Sequence, residues 1–275
     1  DGMDGTGLMH ASQAMGVRRV GRVNWLGLRT LAQREVMRFM NVWLQTLMAP
    51  LITAGLFLMI FTIAIGPTRG AVMGVDFTTF IAPGILMMTV IQNSFANTSS
   101  SVASAKVQGN IVDTLMPPLS AGEMAAGYLA GAVARGFVVA AVIALGVAVF
   151  LGIVPHAPLV LFLFVVLAGA VMGALGLMAG IYAQKFDHLA AVTNFVITPL
   201  SFLSGTFYSI KALPPLMQTL SHGNPLFYLI DGARWGMLGV SDSPPLRGFA
   251  ISSIAAVLAV GAAWLMLRRG YRLKA

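Results

Sequence analysis

The chain has 275 residues, 57% hydrophobic and only 9% charged. A soluble domain carries about 25% charged residues, so too little charge is present to solvate a globule of this size, and a soluble domain is excluded. The net charge is +8, from 17 Lys+Arg against 9 Asp+Glu, and there is no cysteine. Disulfides, thiolate metal sites and cysteine nucleophiles are therefore excluded. The cations sit at the ends of apolar blocks and towards both termini, as the positive-inside rule requires. That placement accounts for the charge without a nucleic-acid partner. The apolar residues fall in long blocks separated by short polar segments, which is how bilayer spans read. The expected fold is all-α and integral to the membrane, with six spans in one domain.

In chain order, residues 1–22 come first. Asp1 to Gly16 is polar, Gly-rich and aperiodic, and is expected to be disordered and in part a start-site extension. The segment after Arg18 and Arg19 is amphipathic, unlike a signal peptide. The membrane domain is expected over residues 23–275. Trp25 to Trp43 predicts an amphipathic helix, since Trp25, Leu28, Ala32, Val36, Phe39 and Trp43 share one face. Arg34 and Arg38 lie on the opposite side. Such a helix before a first span is expected to lie flat at the membrane surface, as an anchor or as a contact for a partner.

Spans are expected at about 44–65, 77–101, 124–150, 159–182, 190–203 and 249–267. The second carries Gln92, Asn93, Asn97, Thr98, Ser99, Ser100 and Ser101 in its second half. In lipid these groups need partners or water, so they serve as helix–helix glue or as the lining of a pathway or dimer seam. Lys106 to Glu123 reads as a short helix with an apolar stripe, Ile111, Val112, Leu115 and Met116, stopped by Pro117-Pro118. In the third span Gly127 and Gly131 predict close helix packing, and Arg135 snorkels to the interface or pairs inside a bundle. The fourth span repeats the four-residue spacing at Gly169/Gly173 and Gly176/Gly180. Residues 204–245 are too apolar for a free loop and too broken by Gly205, Pro214, Pro215, Gly223, Pro225 and Gly232 for a span. Two short helices that dip into the membrane and return fit best, because non-helical backbone at membrane depth must be buried in protein or line a wet cavity.

Both termini, with Lys106 and Lys185, fall on the cation-rich side, which is expected to be cytoplasmic. His10, His156, His188 and His222 are scattered without metal-ligand spacing, and no P-loop is present. Asp231-Gly232-Ala233-Arg234 matches part of a lipid head-group transferase signature, but with the wrong spacing and without the further metal-binding aspartates. An ion-coupled secondary transporter is the other alternative. It is disfavoured because no acidic residue lies within the expected spans and no inverted repeat is visible.

Two segments resemble the membrane subunit of type-2 ABC exporters, permeases for drugs, polysaccharides and lipo-oligosaccharides. The first is Lys106 to Ser120, with Glu123 and Gly127 after it; Gln108 stands where the family often has an acid. The second runs Leu203-Ser204-Gly205-Thr206-Phe207-Tyr208-Ser209-Ile210, then Leu213-Pro214, Asn224-Pro225 and Arg234. The resemblance implies a homodimer in the bacterial inner membrane, bound to two copies of a separate ATP-binding cassette ATPase. ATP and magnesium would be held by that partner, with no cofactor and no catalytic residue in this chain. It implies ATPase-coupling roles for Arg34, Arg38, Gly109, Ile111, Asp113, Leu115, Met116, Pro117 and Glu123. Asn93, Asn97, Ser101, Thr198 and Ser201 would line the pathway. Gly205, Phe207, Tyr208, Pro214, Asn224, Pro225, Phe227 and Arg234 would form a re-entrant outer gate, with its aromatics as a hydrophobic closure or as interface anchors. An amphipathic, lipid-linked or drug-like cargo is expected.

Overall fold

The computed structural model describes residues 23–111, 113 and 116–270. These form nine helices and no strand. They are α1 (Trp25–Met40), α2 (Leu44–Ala64), α3 (Phe77–Val107), α4 (Ala121–Leu151), α5 (Pro158–Tyr182), α6 (Phe186–Thr206), α7 (Pro215–His222), α8 (Pro225–Leu238) and α9 (Pro245–Arg268). Six of them, α2 to α6 and α9, are long and apolar enough to cross a membrane. The expected disordered segment lies outside the described residues, as do Val112, Thr114 and Leu115.

The six long helices pack around α3. Of its most apolar 18 residues 83% are buried, against 6% for α2, so α3 is the axis of the bundle and α2 lies on its outside. Glycines set the spacing. A Cβ on Gly169 would lie 2.9 Å from the Val133 backbone, and one on Gly173 would lie 2.6 Å from Ala132 Cβ, both on α4. Gly176 and Gly180, one and two turns on, press against α3 at Phe95, Thr98 and Ser99. The two glycine pairs of α5 thus face two different helices, and each allows backbones to approach as a side chain would not.

The Gly127/Gly131 pair of α4 receives α1. Leu31 side-chain atoms lie 2.6 Å from a Gly127 Cβ position, and Glu35 Cβ lies 2.5 Å from that of Gly131. Four residues along α1 match four along α4, so the two helices run side by side in the same direction. The helix expected at the membrane surface is thus packed along α4, and its buried face differs from the expected one. Leu31, Glu35 and Phe39 are buried, while Trp25 and Trp43 are 71% and 51% exposed. At 3.6 residues per turn the buried stripe is rotated roughly 60° from the expected apolar one, with Phe39 common to both. The physical reason is the glycine groove of α4, which admits a helix edge carrying a carboxylate that finds partners there. Above α1, α2 continues along the same side of α4, with Leu51 beside Gly146.

Three helical stretches are widened into π turns: Leu44–Met48, Thr193–Ile197 and Phe202–Thr206. The first two directly precede Pro50 and Pro199. Proline has no N–H to donate and its ring clashes with the carbonyl four residues back, here Thr46 and Phe195, so the helix loosens ahead of it. α3 and α6 overrun their expected bounds the most. α3 continues to Val107 and carries Lys106 to the end of α5, where its ammonium donates to the carbonyls of Ile181 (2.6 Å) and Ala183 (2.8 Å). A cation capping the carbonyl end of a neighbouring helix opposes that helix's dipole. α6 starts at Phe186 and ends at Thr206.

Candidate functional site

Near the level where α1 gives way to α2, a cavity of about 580 Å³ opens between α2, α3, α4 and α6. Its polar wall holds Arg38, Gln92, Asn93, Ser100, Arg135 and Thr198, and its apolar wall includes Phe57, Met88 and Phe202. Arg135 donates to Asn93 Oδ1 at 2.9 Å, and Asn93 donates back to the Thr89 carbonyl at 3.0 Å. Gln92 reaches Thr198 at 3.4 Å. Two of the π turns border this space, through Gln45 and Thr46 on α2 and Phe202 on α6; Thr198 directly follows the third.

The polar half of α3 divides by face. Ser94 donates to the Ala132 carbonyl of α4 (3.2 Å), and Thr98 to the Gly173 carbonyl of α5 (2.7 Å). These are helix–helix ties. Gln92, Asn93 and Ser100 face the cavity instead. Of the five residues expected along a pathway, the structure brings Asn93 and Thr198 to the cavity wall. Asn97 is buried and accepts from Arg38 through both its side chain (3.2 Å) and its carbonyl. Ser101 donates to Glu35 at 2.8 Å, and Ser201 donates to the Ile197 carbonyl of its own helix at 2.7 Å.

Arg38 turns inward rather than away from the bundle. It bonds Ser100 at 3.2 Å and pairs with Glu35 at 3.5 Å, while Arg34 pairs with the same carboxylate at 3.2 Å. Glu35 is wholly buried and was not among the expected site residues. The available signal was its place on the Leu31–Phe39 edge, opposite glycines four residues apart.

At the end of the bundle where α3 finishes and α4 begins, a cleft of about 480 Å³ separates α1 from the connection to α4. Arg34, Asp113 and Pro117 all line it. Glu123 fastens its floor. One carboxylate oxygen accepts from the Asn24 backbone N–H at the start of α1, and the other accepts from Ser120 N–H at 2.6 Å. Ser120 in turn accepts from Glu123 N–H at 3.2 Å, which completes a capping box on α4. Asn24 caps α1 through Gly27 N–H and reaches the Pro118 carbonyl at 3.3 Å. Gly109 takes a left-handed turn (φ 74°). Ile111 packs inward with Leu31, Met124 and Leu267, whereas Met116 is 77% exposed. Leu115 lies outside the described residues.

At the opposite end α6 breaks at Gly205, whose φ of 79° suits glycine. Arg234, wholly buried on α8, donates to the Gly205 carbonyl and stacks 4.2 Å over the Phe80 ring. It also pairs with Asp231 at 3.4 Å. Asp231 accepts from the backbone N–H groups of Asp242 (2.8 Å) and Ser243 (2.9 Å), and Asp242 accepts from Ser209 and from Ile210 N–H (3.1 Å). Burial pushes the Asp231 carboxyl up and the Arg234 guanidinium down from their ordinary pKa values, and their mutual attraction opposes both. Asn224 caps α8, of which Pro225 is the first residue, and donates to Ser204 at 2.7 Å; Pro214 precedes α7. The three expected gate aromatics separate. Phe207 stacks with Phe61 and Phe202 and tilts against Phe57. Phe227 is buried with Ile210 and Tyr228, with Tyr208 packed on that cluster.

The model of the family described as ABC-2 type transporter matches residues 27–238. Among curated proteins the chain is 38% identical over 250 residues to the inner membrane transport permease YadH of Escherichia coli K12, covering 91% of this chain and 98% of that one. It is 24% identical over 220 residues to nodulation protein J of Neorhizobium galegae, covering 80% and 83%. It is 27% identical over 221 residues to nodulation protein J of Rhizobium leguminosarum bv. trifolii, covering 80% and 83%. The chain belongs to the ABC-2 type transporter family, as a multi-pass permease of the inner membrane.

Proposed function

We propose that the chain is the membrane subunit of an ATP-driven exporter, working as a homodimer with two copies of a separate ATP-binding cassette ATPase. The observation that carries this reading is the polar cavity between α2, α3, α4 and α6, enclosed by helices that otherwise bury apolar faces. Polar groups held at such a place need water or a ligand. ATP and its magnesium ion would be bound and turned over in the partner. The partner would seat at the cleft beside α1, where Arg34, Asp113 and Pro117 meet, with exposed Met116 next in the chain and Glu123 tying α1 to α4. Both termini would be cytoplasmic. The 204–245 segment would be re-entrant and form the outer gate, with Phe207 and its aromatic neighbours excluding water. The cargo would be amphipathic.

The test is purification of the tagged chain from its native host in mild detergent. An ATP-binding cassette ATPase at equal stoichiometry is expected, and Met116→Asp with Asp113→Lys should release it. A chain that purifies alone and transports without ATP would sink the exporter reading.

A further inference from the structure

We propose that the cavity at the α1–α2 junction holds the anionic headgroup of an amphiphile between Arg38 and Arg135, with the apolar chain in the neighbouring groove between α2 and α4. The proposal rests on the cavity being the cargo's place.

Three observations lead there. The first is charge. Arg38 and Arg135 line the same cavity. Arg38 shares Glu35 with Arg34, but among the described residues Arg135 bonds the neutral Asn93 amide alone, and its Nε has no hydrogen-bond partner there. A buried guanidinium without an anion is costly, so a site of this kind calls for one. Within the six long helices the acids are Glu123 and Asp187, and neither lines this cavity. Guanidinium forks match phosphate and carboxylate oxygens.

The second is level. α2 has 21 residues, which at 1.5 Å per residue is about the thickness of the hydrocarbon core. Its beginning therefore falls near one layer of headgroups, and Gln45 and Thr46 at that beginning line the cavity. The third is the tail. Ala54 lines both this cavity and an apolar groove of about 640 Å³, walled by Leu58, Ile143, Val147 and Phe150. A free anion has no use for that groove; an acyl chain does.

The test is native mass spectrometry of the full-length chain, delipidated in a neutral maltoside detergent and offered equimolar phosphatidylglycerol and phosphatidylcholine. The wild type is expected to retain phosphatidylglycerol over phosphatidylcholine by about tenfold, the worth of one charge-assisted bond. Arg135→Gln should bring the ratio near one, Arg135→Lys should keep most of it, and Arg247→Gln, a distant cation, should leave it unchanged. Inorganic phosphate in large excess should fail to displace the lipid. Equal retention of both lipids by the wild type overturns the proposal whether or not the variants fold. Displacement by inorganic phosphate overturns the amphiphile in favour of a free anion. Retention needs no ATPase, so this result and the co-purification above fail independently.

Discussion

Ser101 of α3 donates a 2.8 Å hydrogen bond to Glu35 of α1, a carboxylate with no exposed surface. That bond, with the Arg34 and Arg38 pairs and the contact at Gly131, fixes the helix before the first span to the bundle. Arg34 and Arg38 keep 47% and 34% of their side chains exposed, so water compensates them in part, and removing the carboxylate costs about 1–3 kcal/mol. Glu35→Ala should therefore lower thermal stability in detergent by more than Glu35→Gln, which keeps an oxygen for Ser101. Equal losses in the two variants, read by size-exclusion after heating, would show that the charge, which both remove, carries the effect and that the oxygen kept for Ser101 does not.

Arg234 is expected to be intolerant of lysine. It uses separate nitrogens for the Gly205 carbonyl and for Asp231 while its plane lies on Phe80. An ammonium provides a point charge without the plane or the fork. Arg234→Lys and Asp231→Asn should each destabilise the 204–245 segment, read as faster proteolysis there. The double variant should lose less than the sum, because both changes break one network. Strict additivity would separate the two residues.

The glycines give a graded series. A Cβ on Gly180 would lie 2.9 Å from the Ser99 carbonyl, a backbone atom that cannot rotate away, whereas one on Gly261 meets nothing within 4 Å. Gly180→Ala should lose about 1–3 kcal/mol through overpacking. Gly261→Ala should be neutral or gain up to about 1 kcal/mol from helix propensity. The order of the two melting temperatures is the check.

Six spans, the two short helices and the α5 glycine spacing were legible because hydropathy and small-residue periodicity are local properties of the chain. The rotation of α1 was not. Its exposed face is as apolar as its buried one, with Trp25, Met37 and Met40 outside and Glu35 inside, so the pattern pointed the wrong way. Only the partner surface, the Gly127/Gly131 groove, decides it. The cavity was half legible. Asn93 and Thr198 stood out as polar residues within spans, but Asn97 and Ser101 point to α1 rather than to the opening. Neighbouring polar residues on a helix diverge by about 100° each, and sequence alone does not say which face is wet.

The absence of native cysteine makes orientation directly measurable. Single cysteines at Lys211 and at Gln184 lie at opposite ends of the bundle, beyond the end of α6 and before its start. With both termini cytoplasmic, Lys211→Cys should label with a membrane-impermeant maleimide in intact spheroplasts, and Gln184→Cys only after permeabilisation. The reverse pattern would invert the chain.

Glu123 offers a sharper test of coupling than the residues lining the cleft, because it is not among them and ties α1 to α4 behind it. Its two oxygens bind the start of α1 and the start of α4, so it transmits position rather than contact. Glu123→Gln keeps one acceptor oxygen but loses the charge that strengthens both bonds. The expected outcome is an assembled complex of normal stoichiometry whose ATPase activity no longer responds to cargo. Such a result would place Glu123 between the partner and the cavity, since the cleft would still bind and the cavity would still be lined by Arg38 and Arg135. Loss of the ATPase from the complex would instead make Glu123 part of the docking surface, and full coupling in the variant would leave the capping box as a local helix start with no part in transport.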